Sequence, residues 1–191
     1  MKKIYCIALI SFGISFAANS QTIKVGTLIG DLGFGFGWPI SYYNQINSPS
    51  AIPVISLSAE QGVYEVPDLG VLTVGGIIGY KSASESYDLI GLPGKETWND
   101  FLIAVKGNFH LTVFHINNID PYAGIALGGR IELANTPVGL YGGSNANTTN
   151  GYVLVAVYLG CRYYFTNNLA VFGELGYGLG DLTLGVSYKL K

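Results

Sequence analysis

The chain has 191 residues and a formal net charge of −2, and charged residues make up only 12% of it. Soluble domains usually carry about twice that charged share, while the 27 glycines here are about twice the usual ~7%. The length suits one domain, but an ordinary soluble domain fits this composition poorly. No run of basic residues exists to hold a phosphate backbone, so nucleic acid is not expected as a partner.

The first twenty residues have the three parts of a secretory signal peptide. Lys2 and Lys3 form a basic start, 4–18 is an uncharged apolar run, and small residues precede a cut before position 21. The run is shorter than the ~20 apolar residues of a membrane-spanning helix. We therefore predict a signal peptide at 1–20 and a single exported domain at 21–191, with a retained N-terminal anchor as the alternative.

Behind the signal, apolar residues alternate with small or polar ones in about eight segments of roughly ten residues each. A period of two predicts strands with one apolar face, whereas each glycine in a helix would cost about 1 kcal/mol relative to alanine. No later stretch reaches the length of a helical membrane span. The predicted strands are 27–37, 52–60, 71–81, 98–110, 122–133, 152–165, 169–179 and 182–190.

Strands of this length, in an even number, match a closed barrel that crosses a bilayer. The predicted fold class is all-β, an eight-stranded antiparallel up-and-down transmembrane β-barrel in the bacterial cell outer membrane. A soluble barrel is the alternative, but its apolar outer faces would need covering that this chain lacks.

The connections between predicted strands indicate which end of the barrel faces outward. Long stretches rich in Asn, Ser, Gly and Pro follow the first, third and fifth strands and are predicted outer loops. A short outer turn is expected at 180–181 and a tight inner turn at 166–168. The segments 61–70 and 111–121 are predicted inner links, both longer than usual.

Each predicted strand carries a charged residue opposite its apolar face. An Arg or Lys facing lipid at mid-bilayer costs roughly 2 to 4 kcal/mol, and eight strands enclose an interior that side chains just fill. We predict a lumen charge network, with Arg162 and Glu174 paired across the turn at 166–168. Alternatively, Lys81 and Lys189, which lie near strand ends, are solvated at the rims of the barrel. The predicted network comprises Asp31, Glu60, Lys81, Lys106, Arg130, Glu132, Arg162, Glu174 and Lys189.

Aromatic residues near the strand ends predict girdles at the two membrane interfaces. The predicted outer girdle contains Trp38, Tyr80, Trp98 and Phe101. The predicted inner girdle contains Phe109, Tyr122, Tyr163, Phe165 and Tyr188.

Several stretches carry a family resemblance: Asp-Pro-Tyr-Ala-Gly at 120–124, Arg-Tyr-Tyr-Phe-Thr-Asn-Asn at 162–168, and 171–178 continuing through 184–188. With these, the chain resembles the small outer-membrane β-barrel domain family of OmpA/OmpX-like architecture, loosely over its length and more closely in its C-terminal half. The resemblance implies outer-membrane lipid and the barrel-assembly machinery as partners, and little about activity. Such barrels commonly end in an aromatic residue, whereas this chain ends Leu190-Lys191.

The residues for catalysis are few. His110 and His115 are the only histidines, and no nucleophile motif accompanies them. We interpret both histidines as interfacial or turn residues, and Asp120 as a turn residue before Pro121. Cys161 is interpreted as a small apolar side chain that packs among its neighbours. No metal-ligand spacing appears, and we predict no enzyme activity, no metal and no cofactor.

Three functional hypotheses remain open at this stage. A structural barrel whose outer loops, such as 141–150, contact an unknown surface ligand is favoured. A narrow porin-like pore for small solutes or ions is the alternative, and a lipid-modifying membrane enzyme is a further one.

Overall fold

The computed structural model describes residues 23–37, 50–89, 92–113, 118–136 and 146–191. Within these ranges the chain forms eight long strands and the two-residue strand Ser50–Ala51. The described part contains no helix long and apolar enough to cross a membrane. The long strands are β1 (Leu28–Phe36), β2 (Val54–Val66), β3 (Gly70–Leu89), β4 (Leu92–Leu111), β5 (Ile119–Thr136), β6 (Ala146–Tyr164), β7 (Leu169–Tyr177) and β8 (Leu182–Lys189).

Each long strand pairs antiparallel with its neighbours in sequence, and β8 pairs antiparallel with β1. The closing ladder runs from Ile29 opposite Lys189 to Phe36 opposite Leu182. The sheet is therefore a closed ring, and the predicted all-β, eight-stranded, up-and-down antiparallel fold is confirmed.

The burial of side chains alternates along the strands, as the pleat of a strand requires. On β4, Ile103 is 66% exposed and the adjacent Ala104 is 6% exposed. The outward side chains are mostly large and apolar, whereas all the buried charged side chains and most of the buried polar ones point inward, together with a smaller set of apolar ones. This arrangement is the inverse of an ordinary soluble domain, which buries its large apolar side chains.

The strands differ in length, so one side of the barrel continues past the other. The ladder between β2 and β3 ends at Ile55 opposite Tyr80, but β3 and β4 stay paired to Leu89 opposite Leu92. Nine more residues of strand extend roughly 30 Å. We call this extension the projecting sheet. It consists of 81–89, 92–100, 132–136 and 146–150 of strands β3 to β6.

The projecting sheet corrects the prediction of a long outer loop between the third and fourth strands. Residues 82–89 and 92–97, predicted as loop, are paired strand. The inner links are also shorter than predicted, because β2 continues to Val66 and β5 begins at Ile119. Asp68, with a φ of 62°, lies in the remaining link between β2 and β3.

The segment before β1 packs against the end of the barrel where β2 ends. Gly26 donates a backbone hydrogen bond to Gly62 (2.8 Å), and Gly62 donates one to Thr27 (2.9 Å). Ile23 is thereby buried against Ile29 and Val71.

Gly160 on β6 faces inward beneath the ring of Tyr122. A Cβ added there would lie 2.3 Å from the ring, so Gly160→Ala should destabilise the folded barrel by about 1 to 3 kcal/mol. Urea unfolding of the folded barrel measures this change. Gly151→Ala on the same strand is the control, since its added Cβ meets nothing within 4 Å. Equal unfolding midpoints for the two variants would contradict the lumen packing described.

Candidate functional site

The structure places the nine charged residues of the predicted network on the inward face of the barrel. All nine are buried, including Lys81 and Lys189, for which rim positions were the alternative. They do not form one cluster, however. Five strands contribute to a group around Arg162, while another group lies at the base of the projecting sheet.

Arg162 on β6 is the centre of the first group and is 0% exposed. Its Nη2 forms an ion pair with Asp31 at 3.1 Å and another with Glu60, and its Nη1 lies 3.5 Å from Asp120. The guanidinium also lies 4.6 Å from the ring centre of Tyr122. A planar guanidinium with several fixed donors suits such a position better than an ammonium. We call the group formed by Asp31, Glu60, Lys106, His110, Asp120 and Arg162 the central network.

Asp31 connects the two ends of the chain through this network. It lies on β1 and accepts hydrogen bonds from Ser187 on β8 (2.6 Å) and Ser58 on β2 (3.0 Å). Lys106 on β4 lies 3.5 Å from the same carboxylate. The side chains therefore connect the first strand to the last, across the same seam that the backbone ladder closes.

The second carboxylate oxygen of Glu60 accepts hydrogen bonds from side chains within the lumen. Thr73 on β3 and Asn108 on β4 each donate a hydrogen bond to that oxygen at 2.5 Å. Asn108 in turn accepts one from Tyr158 at 2.8 Å. Buried charges are tolerated when they are paired and hydrogen-bonded in this way.

His110 and Asp120 belong to the central network, which corrects their interpretation as interfacial and turn residues. His110 is fully buried and donates from Nδ1 to Asp120 at 2.9 Å, while its Nε2 lies 3.7 Å from Glu60. The signal for both was present in the sequence. His110 and Asp120 both occupy alternate strand positions that match the inward residues of their strands. Asp120, however, lay just outside the predicted strand 122–133.

Glu174 does not pair with Arg162, so that part of the prediction is wrong. The ladder between β6 and β7 places Glu174 opposite Gly160 and places Phe172 opposite Arg162. The Glu174 carboxylate instead accepts a hydrogen bond from Tyr122 at 2.8 Å. A void of about 10 Å³ lies beside it, close to the space that one water molecule needs.

An apolar layer fills the lumen on the outer side of the central network. On β3 the inward residues run from Thr73 through Ile77 to Lys81, so the apolar side chain lies between the two polar regions. The same order recurs on β5, where Ala126 separates Tyr122 from Arg130. The layer consists of Val54, Ile77, Leu102, Ala104, Ala126, Leu154, Ala156 and Leu179.

The second charged group, which we call the outer cluster, consists of Lys81, Asp100, Arg130 and Glu132. Arg130 lies 3.7 Å from Asp100 and 4.0 Å from Glu132. Its guanidinium stacks over the ring of Tyr152 at 4.4 Å. Asp100 was not among the predicted network residues. It lies an even number of positions from Lys106 on β4, so the alternation places both side chains on the inward face.

The predicted aromatic girdles are only partly outward. Trp98 is 8% exposed and Tyr122 is 2% exposed, and both point into the lumen. Both occupy strand positions whose side chains point inward. The alternation along the strand decides which way a side chain points, even for a residue near a strand end. Trp38 lies outside the described residues. The other predicted members have exposed or half-buried side chains, and these are Tyr80, Phe101, Phe109, Tyr163, Phe165 and Tyr188.

One arrangement in the central network resembles a catalytic triad. His110 contacts Asp120 through Nδ1, and its Nε2 lies 3.3 Å from Thr73 Oγ1. Thr73 and His110 are both fully buried, however, and the Thr73 hydroxyl already donates to Glu60. No substrate can reach a hydroxyl enclosed in this way. Within the described ranges, no group of three or more His, Cys, Asp or Glu is arranged to hold a metal ion.

No protein-family model and no curated protein matches the chain. Solved structures similar to it include the N-terminal β-barrel domain of OprF from Pseudomonas aeruginosa. That domain is 15% identical, with 87% of this chain and 98% of that one covered and a TM-score of 0.41.

The attachment invasion locus protein Ail of Yersinia pestis is also similar, at 12% identity. The match covers 87% of this chain and 100% of Ail, with a TM-score of 0.47. A structure of Ail with the heparin analogue sucrose octasulfate matches at 13% identity over the same shares, with a TM-score of 0.48. These similar structures are outer-membrane β-barrels, of the kind that the sequence resembles. Because the TM-scores are low, the fold is assigned from this chain's own strand pairing.

Replacing Arg162 should test the importance of the central network. Arg162→Met leaves Asp31 and Glu60 buried without their main counter-charge, so we expect a loss of about 3 to 5 kcal/mol in the free energy of unfolding. Adding Glu60→Gln should recover part of this loss, because it removes one uncompensated charge.

Lys95→Met, at an exposed position on β4, is the matched control and should change stability by less than about 0.5 kcal/mol. Urea unfolding of the three variants and the parent chain measures the differences. Similar losses for Arg162→Met and Lys95→Met would contradict a network that depends on Arg162.

Proposed function

We propose that this chain is an integral outer-membrane β-barrel with a lumen closed by side chains, which presents its projecting sheet at the cell surface for interaction. The single observation that carries the proposal is the outward apolar surface of a closed sheet. Mid-strand residues such as Ile103, Ile125 and Leu127 are each more than half exposed, whereas the adjacent Ala104 and Ala126 are buried. In water such a continuous surface would aggregate, whereas hydrocarbon is its natural solvent.

The placement of charge supports the same proposal. At the level of the central network, β6 alternates Leu159 and Cys161 outward with Arg162 inward. Every charged residue of the central network is hidden within the ring, and the backbone groups are paired in closed ladders. These are the two conditions that hydrocarbon imposes on a spanning structure.

A closed lumen is favoured over the porin-like pore. A conducting path would have to cross both the apolar layer and the central network, and Arg162 at the centre of that network is fully buried. An apolar constriction opposes ion passage by excluding water, and a network of paired charges fills the remaining section.

A surface-interaction role is favoured by the projecting sheet. Its two longest strands, β3 and β4, continue roughly 30 Å past the ladder between β2 and β3, on the side opposite the start of β1 and the end of β8. In an exported barrel that starts and ends on the periplasmic side, this end faces outward. A lipid-modifying activity is disfavoured, because the triad-like arrangement of His110, Asp120 and Thr73 is enclosed.

The expected partners follow from this placement. Outer-membrane lipid surrounds the apolar surface, and delivery requires the signal at 1–20 and the barrel-assembly machinery. β8 remains paired with β1 as far as Lys189, so its C-terminal end is part of the closing seam.

Membrane insertion can be tested with an outward charge. We expect the folded chain to be heat-modifiable on a gel and to resist carbonate extraction from phospholipid vesicles. Ile125→Arg should lower its stability in vesicles by roughly 2 to 4 kcal/mol, because Arg would face mid-bilayer lipid.

Asn147→Arg, on the exposed part of β6, is the matched control and should change stability by less than about 0.5 kcal/mol. A chain that stays monodisperse in buffer without any amphiphile would overturn the proposal. Equal effects of the two Arg variants would also contradict it.

Planar-bilayer recordings distinguish the closed barrel from the pore. We expect no discrete conductance steps from the inserted chain at ordinary salt concentrations, since the lumen is filled. Insertion should be verified in the same preparation by heat-modifiability. Reproducible single-channel steps would instead favour the pore.

A further inference from the structure

Asp100 is a buried carboxylate with an unpartnered oxygen. Its side chain lies on the inward face of the projecting sheet and is 7% exposed. Its Oδ1 accepts no hydrogen bond from any residue that the structure describes, and its Oδ2 lies 3.7 Å from Arg130 Nη1, beyond hydrogen-bond distance. Asp31 in the central network is as deeply buried but accepts hydrogen bonds from Ser187 and Ser58. The ionised form of Asp100 is therefore poorly stabilised by comparison.

A second buried carboxylate lies directly opposite Asp100. The ladders pair Asp100 with Glu132 on β5 and with Lys81 on β3, and all three side chains are buried on the inward face. Opposite residues have their Cβ atoms about 4.5 to 5.5 Å apart, and like charges at such positions are destabilising. Arg130 lies 3.7 Å from Asp100 and 4.0 Å from Glu132, so the two carboxylates share one guanidinium. From β6, Tyr152 donates a hydrogen bond to Glu132 at 3.4 Å.

The wider surroundings of this pair of carboxylates are acidic. Glu85 on β3 and Glu96 on β4 lie opposite each other, further out on the same inward face. The segments 38–49 and 137–145 contain no charged residue. Among the described residues, the charged groups on this face are the carboxylates of Glu85, Glu96, Asp100 and Glu132 and the cations of Lys81 and Arg130. Uptake of a proton therefore reduces an excess of negative charge.

The pKa of the Asp100 carboxyl reflects these surroundings. Asp100 lies beyond the ladder between β2 and β3, in the projecting sheet. Burial raises the pKa of its carboxyl above the ordinary value, Arg130 and Lys81 oppose the rise, and Glu132 adds to it. A carboxyl whose pKa is higher in the folded chain than in the unfolded chain binds its proton more tightly when folded. Its contribution to stability therefore grows as the pH falls through the folded-state pKa, and is lost as the pH rises through it.

We propose that Asp100 and Glu132 form a proton-binding pair, which takes up one proton in mild acid and strengthens the pairing of β4 with β5 at the base of the projecting sheet. The proton comes from the surrounding solution and binds to Asp100, whose Oδ1 then donates a hydrogen bond to the Glu132 carboxylate. This removes the repulsion between opposite carboxylates and leaves Arg130 a single carboxylate to balance. This inference goes beyond the proposed function and rests on it only for the exposure of the projecting sheet to the pH outside the cell.

A carboxyl titration of the full folded chain in nanodiscs tests proton uptake. The chain is labelled with ¹³C at the Asp and Glu carboxyl groups, and the Asp100 signal is assigned as the one that Asp100→Asn removes. We expect the pair to take up one proton with an apparent pKa of about 5 or above, compared with ~3.9 for an ordinary Asp. Any lower value would overturn the inference. Glu132→Gln removes the opposite charge and should lower the pKa of Asp100, a change that a merely structural role does not predict.

Hydrogen exchange tests the effect of the proton on the sheet. Protection of the amides of 99–101 and 131–133, corrected for the intrinsic pH dependence of exchange, is compared at about pH 7.5 and about pH 5. We expect it to be about tenfold greater at the lower pH. Asp100→Asn resembles the neutral form and should be protected equally at both pH values. Glu65→Gln, at an exposed position on β2 towards the other end of the barrel, is the matched control and should keep the response of the parent chain.

The outcomes separate this inference from the proposed function. Protection that does not change with pH, in a chain that is inserted and heat-modifiable, would overturn the proton-binding pair alone. The same pH response in Asp100→Asn as in the parent chain would also overturn it. Failure of the parent chain to insert would overturn the proposed function. If Asp100→Asn does not fold, the titration of the parent chain and of Glu132→Gln decides.

Discussion

Hydrocarbon offers no hydrogen-bond partner, so a chain placed in it must pair every backbone group and hide every charge within itself. A closed antiparallel ring meets the first requirement, because the ladder between β8 and β1 leaves no free edge at the level of the barrel. The alternation of side chains meets the second. Most large apolar residues of the strands point outward and the charged network residues point inward, as Ile103 and Lys106 do on β4.

Hiding the charges creates a second problem, which the central network solves. An isolated buried charge is severely unfavourable, so the lumen must balance and hydrogen-bond what it encloses. Arg162 brings together carboxylates from β1, β2 and β5, and Asp31 connects β1 to β8 through Ser187. The same contacts that neutralise the interior therefore fix which strands meet at the seam. The apolar layer above them separates this network from the outer cluster.

The barrel could be predicted from the sequence wherever both faces of a strand are constrained. An apolar outer surface on one side and a narrow lumen on the other impose strict alternation, and all eight long strands were predicted for that reason. The projecting sheet was missed because neither constraint acts there. Residues 82–97 are rich in Ser, Glu and Gly and do not alternate, so their pattern resembles that of a loop, although 82–89 and 92–97 pair as strands.

The partners within the lumen could not be predicted to the same degree. Parity places Arg162 and Glu174 inside, but the register of the ladder between β6 and β7 decides that they are not opposite. Contacts across the lumen, such as those between His110 and Asp120 or between Arg162 and Asp31, depend on how the whole ring closes. A single strand carries no information about that closure.

The most direct test of hydrocarbon contact is the collision rate of a nitroxide spin label at Leu127, measured in vesicles on a Cys161→Ser background. Oxygen concentrates in hydrocarbon, whereas a water-soluble nickel chelate is excluded from it. A label at Leu127 should collide readily with oxygen and rarely with the chelate, and a label at Asn147 should show the reverse. A Leu127 label as accessible to the chelate as the Asn147 label would contradict a barrel that lies in lipid.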